Sequence, residues 1–339
     1  MLYIRADGNQ IIGSGHIMRC LSIAKALRTI GEDSIFITAD NYPEGLIRKH
    51  GFTNICLDSD WANLEKESLQ LDNLILTGNI KKLLIDSYYI TPKYVDNIHN
   101  KTKIAYLDDL ENFSYAVDLL INYSISAEED KYKHKYPFTK FLIGTDFIPL
   151  REQFQGIRHI YRNKVKDILI TTGGSDSFNV TGKLIQGLRS NSQFNEINLH
   201  IIIGAFNVHK EEILKLSNIH QNICIYQNID DMAALMSRCD MAISAGGTTL
   251  YELCACTVPI VAFTFADNQI NGTKALGRHG LLYYAGDIRI NLDSCILGII
   301  QKVQEMAQNS HERKYMMEKM RCKVDGYGAK RIANEILIF

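Results

Sequence analysis

One pattern runs through this chain from end to end. A short apolar run stops at a polar or glycine-rich turn, and a stretch of helical periodicity follows it. In the first half the runs are 2–4, 34–38, 55–57, 82–86, 103–107 and 118–122. In the second half they are 167–172, 200–203, 223–226, 240–244 and 259–264. Short apolar runs without polar alternation fit strands covered on both faces. Their alternation with helical stretches predicts an α/β chain with largely parallel sheets. At 339 residues the chain is long for one such domain and suits two Rossmann-like domains. The pattern breaks at Phe147-Ile-Pro-Leu-Arg-Glu-Gln-Phe154, so the junction is expected between 144 and 164. The expected domains are 1–150 and 165–325, with a closing helix at 326–339 that packs back on the first domain.

The turn after the first run carries the most chemistry. It reads Arg5-Ala-Asp-Gly-Asn-Gln-Ile-Ile-Gly-Ser-Gly-His-Ile-Met-Arg19 and leads into a helical face of Ile17, Leu21, Ala24 and Leu27. A glycine turn between a strand and a helix can hold an anion on backbone N–H groups and the helix dipole. The spacing of Gly8, Gly13 and Gly15 does not fit GxGxxG well. A purely structural turn has no need of Arg5, Asp7, Asn9, His16 and Arg19 together. His16 is expected at the first helical position, where a neutral imidazole can act as a base near pH 7. The bland alternative is a capping histidine in a solvated loop. Asp7, Asp86, Asp108, Asp109 and Asn122 all fall where strands end. Each alone reads as a helix or turn cap. Five on the carboxyl edge of one parallel sheet, where such sheets bind ligands, outline a polar cleft.

Three turns in the second half suit a nucleotide diphosphate. They hold Gly173, Gly174 and Asp176; Gly246, Gly247, Thr248 and Thr249; and Asp267, Asn268 and Gln269. Glycine lets the backbone approach phosphate, and hydroxyls at a helix start add donors. Glu252, one turn further on, can accept from ribose hydroxyls. The P-loop, HExxH and GxSxG patterns are absent, and the nearest approach to a metal site is Asp108–Asp109. No cofactor and no metal are expected. With 22% charged residues and a net charge of −1, nothing points to a nucleic-acid partner. The basic and aromatic segment 131–141 is accordingly expected to be a solvated loop. No apolar run approaches the roughly 20 residues that span a membrane, and a strand opens the chain where a leader would lie. The eight cysteines show no metal or redox spacing and read as reduced thiols of a cytoplasmic protein, expected to be a monomer.

Ser244-Ala-Gly-Gly-Thr-Thr-Leu-Tyr-Glu252 and Phe265-Ala-Asp-Asn-Gln269 resemble the second half of GT-B glycosyltransferases, notably the N-acetylglucosaminyl transferase of peptidoglycan lipid synthesis. The opening Arg5–Arg19 stretch is more specific. With Ile85-Asp-Ser-Tyr88, Leu107-Asp-Asp109, Leu120-Ile-Asn122, Pro149-Leu-Arg-Glu-Gln-Phe154, Thr172-Gly-Gly-Ser-Asp176 and Asp267-Asn-Gln269, it resembles the UDP-2,4-diacetamido-2,4,6-trideoxy-β-L-altropyranose hydrolases of pseudaminic acid synthesis (the PseG family). Asp325-Gly-Tyr-Gly-Ala-Lys-Arg331 resembles the closing helix of longer members. Ser87 stands where some members carry histidine.

The resemblance implies a GT-B fold and a hydrolase acting at the anomeric carbon of a UDP-linked diacetamido-trideoxyhexose, releasing UDP. It implies His16 as the base for water, with Asp7 or Asp86 orienting the imidazole. It implies substrate contacts from Arg5, Asn9, Gly13, Gly15, Arg19, Tyr88, Asp108 and Asn122, from the three second-half turns, and from Glu252. The sugar is then expected in the cleft between the domains. Two alternatives stay open at this point: a GT-B glycosyltransferase using a UDP-sugar donor, and a nucleotide-sugar binding protein without catalysis.

Overall fold

A computed structural model describes residues 1–111, 114–157, 159–204 and 206–339. The chain forms two compact units. One is Met1–Glu152 together with Gly326–Phe339, and the other is Gln153–Asp325.

The first unit is built on β1 (Leu2–Ala6), β2 (Ser34–Thr38), β3 (Thr53–Cys56), β4 (Lys82–Asp86), β5 (Lys103–Leu107), β6 (Leu119–Asn122) and β7 (Lys140–Ile143). They pair in parallel in the order β3-β2-β1-β4-β5-β6-β7. Leu83, Leu84, Ile85, Leu119, Leu120 and Ile121 are all fully buried, as strands covered on both faces require. The strand order reverses between β1 and β4. The loops that follow these two strands therefore leave in opposite directions and open a crevice at their carboxyl ends. The helix Gly15–Thr29 buries Ile17, Leu21, Ala24 and Leu27 and packs against the closing helix Gly328–Ile338. Gly328 is needed there, because a Cβ would fall onto the backbone of Ile148.

The second unit repeats the plan with β8 (Asp167–Thr171), β9 (Asn198–Ile202), β10 (Ile223–Tyr226), β11 (Met241–Ala245), β12 (Ile260–Thr264) and β13 (Tyr283–Asp287). Their parallel order is β10-β9-β8-β11-β12-β13, so the reversal lies between β8 and β11. Every residue of β11 and β12 is buried.

One expectation needs correction. The segment 131–141 is not a solvated loop. It holds a short helix, Glu129–Lys133, and the start of β7, and Tyr132 and Tyr136 are buried in the hydrophobic core. Its lysines face water while its tyrosines fill the space beside β5 and β6, so the basic and aromatic residues serve opposite sides of one segment. Between β3 and β4 a 3₁₀ turn, Leu64–Glu67, runs into the α-helix Ser68–Thr77. Asp231 caps the helix Met232–Arg238, accepting from the Ala234 N–H at 2.9 Å. Strands β7 and β13 and the helix Lys210–Ile219 lie outside the sequence reading.

Candidate active site

The loop after β1 is a tight polar turn. Asn9 Oδ1 accepts from the N–H groups of Ile11 and Ile12 at 2.8 and 3.0 Å, and Asn9 N–H donates to Gly13 O at 3.2 Å. Gly13 has φ of +73°, which a side chain rarely adopts, so the loop turns there. The helix then begins at Gly15, and His16 is its second residue rather than its first.

His16 is buried, and its Nδ1 lies 2.8 Å from Asp86 Oδ1 at the end of the neighbouring strand β4. Burial alone would push the Asp86 carboxyl up, but the Arg19 charge and the hydrogen bonds from Arg19 and His16 outweigh it and hold Asp86 well below the usual carboxylate range. An ionised carboxylate can only accept, so His16 Nδ1 must carry the proton that faces it. In the neutral imidazole this leaves Nε2 with the free lone pair. Nε2 is buried and has no hydrogen-bond partner among the described residues. A buried polar atom without a protein partner is costly unless a water, ligand or reactant completes it.

Arg19 clamps the other side of Asp86. Its Nε donates to Oδ2 at 2.6 Å and its Nη2 donates to Oδ1. Its Nη1 donates to Asp109 Oδ2 at 2.6 Å and to the Tyr123 hydroxyl. Cys20 Sγ donates to Asp86 Oδ2 at 3.4 Å. The guanidinium expected to meet substrate is thus spent on fixing Asp86.

Arg5 is fully buried and likewise turned inward. It makes a two-pronged pair with Glu67, at 2.6 and 2.8 Å, and donates to Asp7 Oδ2 at 2.6 Å. Tyr94 and Ser59 donate to the same Glu67 carboxylate. Asp7 Oδ1 accepts from Ala39 N–H at 2.8 Å. Of the two carboxylates proposed to orient His16, Asp86 makes the contact and Asp7 ties β1 to the loop after β2. Asp108 accepts from the N–H groups of Leu110 and Glu111 and from the Tyr132 hydroxyl. Asn122 bonds Tyr132, Glu111 and the Ser124 N–H. Both act as turn caps; burial raises the Asp108 carboxyl.

His16, Asp7 and Asp86 line a small pocket of about 10 Å³ together with Ile12, Trp61, Ser87, Tyr88 and Tyr89. That is close to the ~10–15 Å³ that one water needs, so it has room for a water beside His16 and not for a sugar. Tyr88 meets His16 edge to face with ring centres 4.4 Å apart, and Trp61 meets Tyr89 in the same way at 5.5 Å. Trp61 and Tyr89 escaped the sequence reading. The available signal was the chain's single tryptophan, standing in a polar turn after an apolar run.

In the second unit the expected turns follow β8, β11 and β12, the first two at the point where strand order reverses. Asp176 is buried and caps the helix Val180–Arg189 through the N–H groups of Val180 and Thr181, at 2.8 and 3.1 Å. Gly173 and Gly174 are exposed. The turn after β11 differs. The helix there is Thr248–Ala255, so Thr248 and Thr249 lie in its first turn. No side chain caps it and no acidic residue occupies that turn, which leaves its amide end open to an anion. Gly247 has φ of +141°, and a Cβ on Gly246 would come within 2.7 Å of Thr273 Oγ1 and 2.9 Å of Gln269 Cβ. Gly247 is therefore demanded by its backbone conformation and Gly246 by the side chains packed against it. Glu252 is half-buried one turn on. Gln269 Oε1 accepts from Phe265 N–H at 3.0 Å, Asp267 pairs with Arg289 at 2.7 Å, and Asn268 is exposed.

Residues 168–336 match the glycosyltransferase family 28 C-terminal domain. Across 99–100% of its length the chain also superposes on solved GT-B structures: Acinetobacter baumannii MurG (TM-score 0.71, 15% identity, 99% of that chain) and a Staphylococcus aureus MnaA–UDP complex (TM-score 0.68, 13% identity, 95% of that chain). The fold is GT-B. Among curated proteins, the chain is 30% identical over 276 residues to an uncharacterized Methanocaldococcus jannaschii protein, MJ1062, covering 76% of this chain and about half (54%) of that longer one. It is 24% identical to the Bacillus subtilis spore coat polysaccharide biosynthesis protein SpsG, covering 82% of this chain and 81% of that one. It is 23% identical to the Campylobacter jejuni UDP-2,4-diacetamido-2,4,6-trideoxy-β-L-altropyranose hydrolase, covering 81% of this chain and 96% of that one. The chain is thus a distant relative of these hydrolases. Among the described residues no helix is long and apolar enough to cross a membrane, and no three His, Cys, Asp or Glu side chains gather as a metal site.

Proposed function

We propose that this protein hydrolyses a UDP-linked 2,4-diacetamido-2,4,6-trideoxyhexose, releasing UDP and the free sugar for nonulosonic acid synthesis. The observation that carries the reading is His16 Nε2, a buried and unpartnered nitrogen whose ring is held from the other side by an ionised carboxylate. A histidine that merely caps a helix, or that serves a sensor without catalysis, has no use for that arrangement; the absence or need of an acceptor separates hydrolase from transferase.

In this reading Nε2 takes a proton from a water as its oxygen bonds to the anomeric carbon. The bond from that carbon to the diphosphate oxygen breaks, and its electron pair leaves with UDP. Attack opposite the leaving group inverts the anomeric centre. Asp86 keeps the imidazole in the required tautomer and stabilises the imidazolium that forms. The leaving diphosphate needs no protein acid, because a terminal phosphate has a pKa of ~6. The amide end of the helix Thr248–Ala255 in the second unit, with Thr248 and Thr249, receives the diphosphate. No metal takes part.

The test is incubation with the UDP-linked diacetamido sugar and no acceptor, following UDP and the free sugar by NMR. UDP and an inverted free sugar are expected. UDP release only on addition of an acceptor makes the protein a transferase, the activity of several of its fold neighbours.

A further inference from the structure

The polar groups of the His16 pocket are almost all committed. Asp7 spends one oxygen on Ala39 and the other on Arg5, and Asp86 spends both on His16, Arg19 and Cys20. Ser87 Oγ accepts from Tyr89 N–H at 3.1 Å. What remains along the wall is the indole of Trp61, the rings of Tyr88 and Tyr89, and Ile12. Trp61 is half-buried and Tyr89 is 40% exposed, so both offer surface that the chain does not itself cover. Hydroxyls laid flat on these rings would lose water bonds that the ring faces do not replace, leaving only the edge donors of Trp61, Tyr88, Tyr89 and Ser87. The methyl groups of a deoxygenated, N-acetylated face have no water bonds to lose there and gain contact area with aromatic rings.

We infer that Trp61, braced edge to face by Tyr89, is the platform on which the sugar lies beside His16, and that it selects sugars with deoxygenated and N-acetylated positions over fully hydroxylated ones. The inference rests on the nucleotide-sugar reading above and names the part of the site that chooses the sugar. Trp61 acts on the substrate and takes no part in proton transfer.

Trp61 is the chain's single tryptophan, so its fluorescence reports on this pocket alone. The His16→Asn protein, which should bind without turnover, is titrated with UDP, with UDP-glucose, and with UDP-2,4-diacetamido-2,4,6-trideoxy-β-L-altropyranose. Affinities are taken in parallel by calorimetry. The diacetamido sugar nucleotide should change the emission and UDP should not. In the same background Trp61→Ala should weaken the diacetamido sugar nucleotide about tenfold. It should leave UDP unchanged and shrink the preference over UDP-glucose, and Trp61→Phe should restore most of the loss. Thermal melting of both variants shows that they fold. Undiminished binding by Trp61→Ala, or equal weakening of all three ligands, overturns the platform. If the unsubstituted protein binds the sugar nucleotide with a change of emission but never cleaves it, the hydrolase reading falls and the platform stands. If it does not bind the sugar nucleotide at all, both fall.

Discussion

Replacing Asp86 by Asn tests the chemistry of the site at its most exposed point. Asp86 accepts from His16 Nδ1, from two nitrogens of Arg19 and from Cys20. An amide in its place presents an NH₂ to one of those donors. If it faces His16, the imidazole proton moves to Nε2, which then donates and no longer serves as a base. If it faces Arg19, the guanidinium keeps only Asp109 as a charged partner. General-base catalysis is typically worth ~10²–10⁴-fold, or about 3–5 kcal/mol of barrier. Asp86→Asn should therefore lower kcat by at least ~10²-fold with little change in UDP affinity. Breaking a buried ion pair costs about 3–5 kcal/mol, and retention of Asp109 puts this variant at the lower end.

The effects should not multiply. His16→Asn removes the base, so adding Asp86→Asn should cost little more activity, as for residues that act as one unit. The pH dependence of stability follows from the same carboxylate. Its pKa is lowered by folding, so its ion pairs contribute fully above the unfolded value of ~3.9 and are lost only as the pH falls well below it. Acid unfolding of the native protein should thus begin at lower pH than that of the Asn variant. The assays are steady-state UDP release, UDP calorimetry and denaturant unfolding across pH on the three variants. A folded Asp86→Asn protein with kcat within about tenfold of native, below the usual range for a lost base, would refute the assignment of Asp86. A double variant whose loss is the product of the single losses would refute the coupled pair.

Three further outcomes are expected. Arg19→Lys should lower kcat more than it raises KM, because a single ammonium cannot hold both Asp86 oxygens and Asp109; a pure KM effect would return Arg19 to substrate binding. Gly247→Ala forces a side chain into φ of +141° at the open helix end and should weaken UDP binding while leaving the His16–Asp86 pair intact, as read by calorimetry and by the acid limb of stability. Excess chelator should leave turnover unchanged; loss of activity restored by Mg²⁺ or Mn²⁺ would show that a metal, not helix amides, neutralises the diphosphate.

The alternation of apolar runs and helical stretches is a local property, and it sufficed to place most of the strands and to class the chain as α/β. The loaded turn at Arg5–Arg19 and the glycine turns were legible for the same reason, since close backbone approach and a helix start need particular residues at short spacing. What each polar residue does was not local. His16 meets Asp86 across 70 positions, Arg19 meets Asp86 and Asp109 across 67 and 90, and Arg5 meets Glu67 across 62. Those meetings follow from β1 lying beside β4 in the sheet, a neighbour relation that no periodicity encodes. Hence the charged residues Arg5, Arg19 and Asp108 could be found in sequence but not told apart as anchors rather than ligand contacts. Trp61 comes to the His16 pocket from a loop after β3 for the same reason. The segment 131–141 shows the limit from the other side: lysines and tyrosines alternate in it, and only the hollow beside β5 and β6 decides that the tyrosines go in.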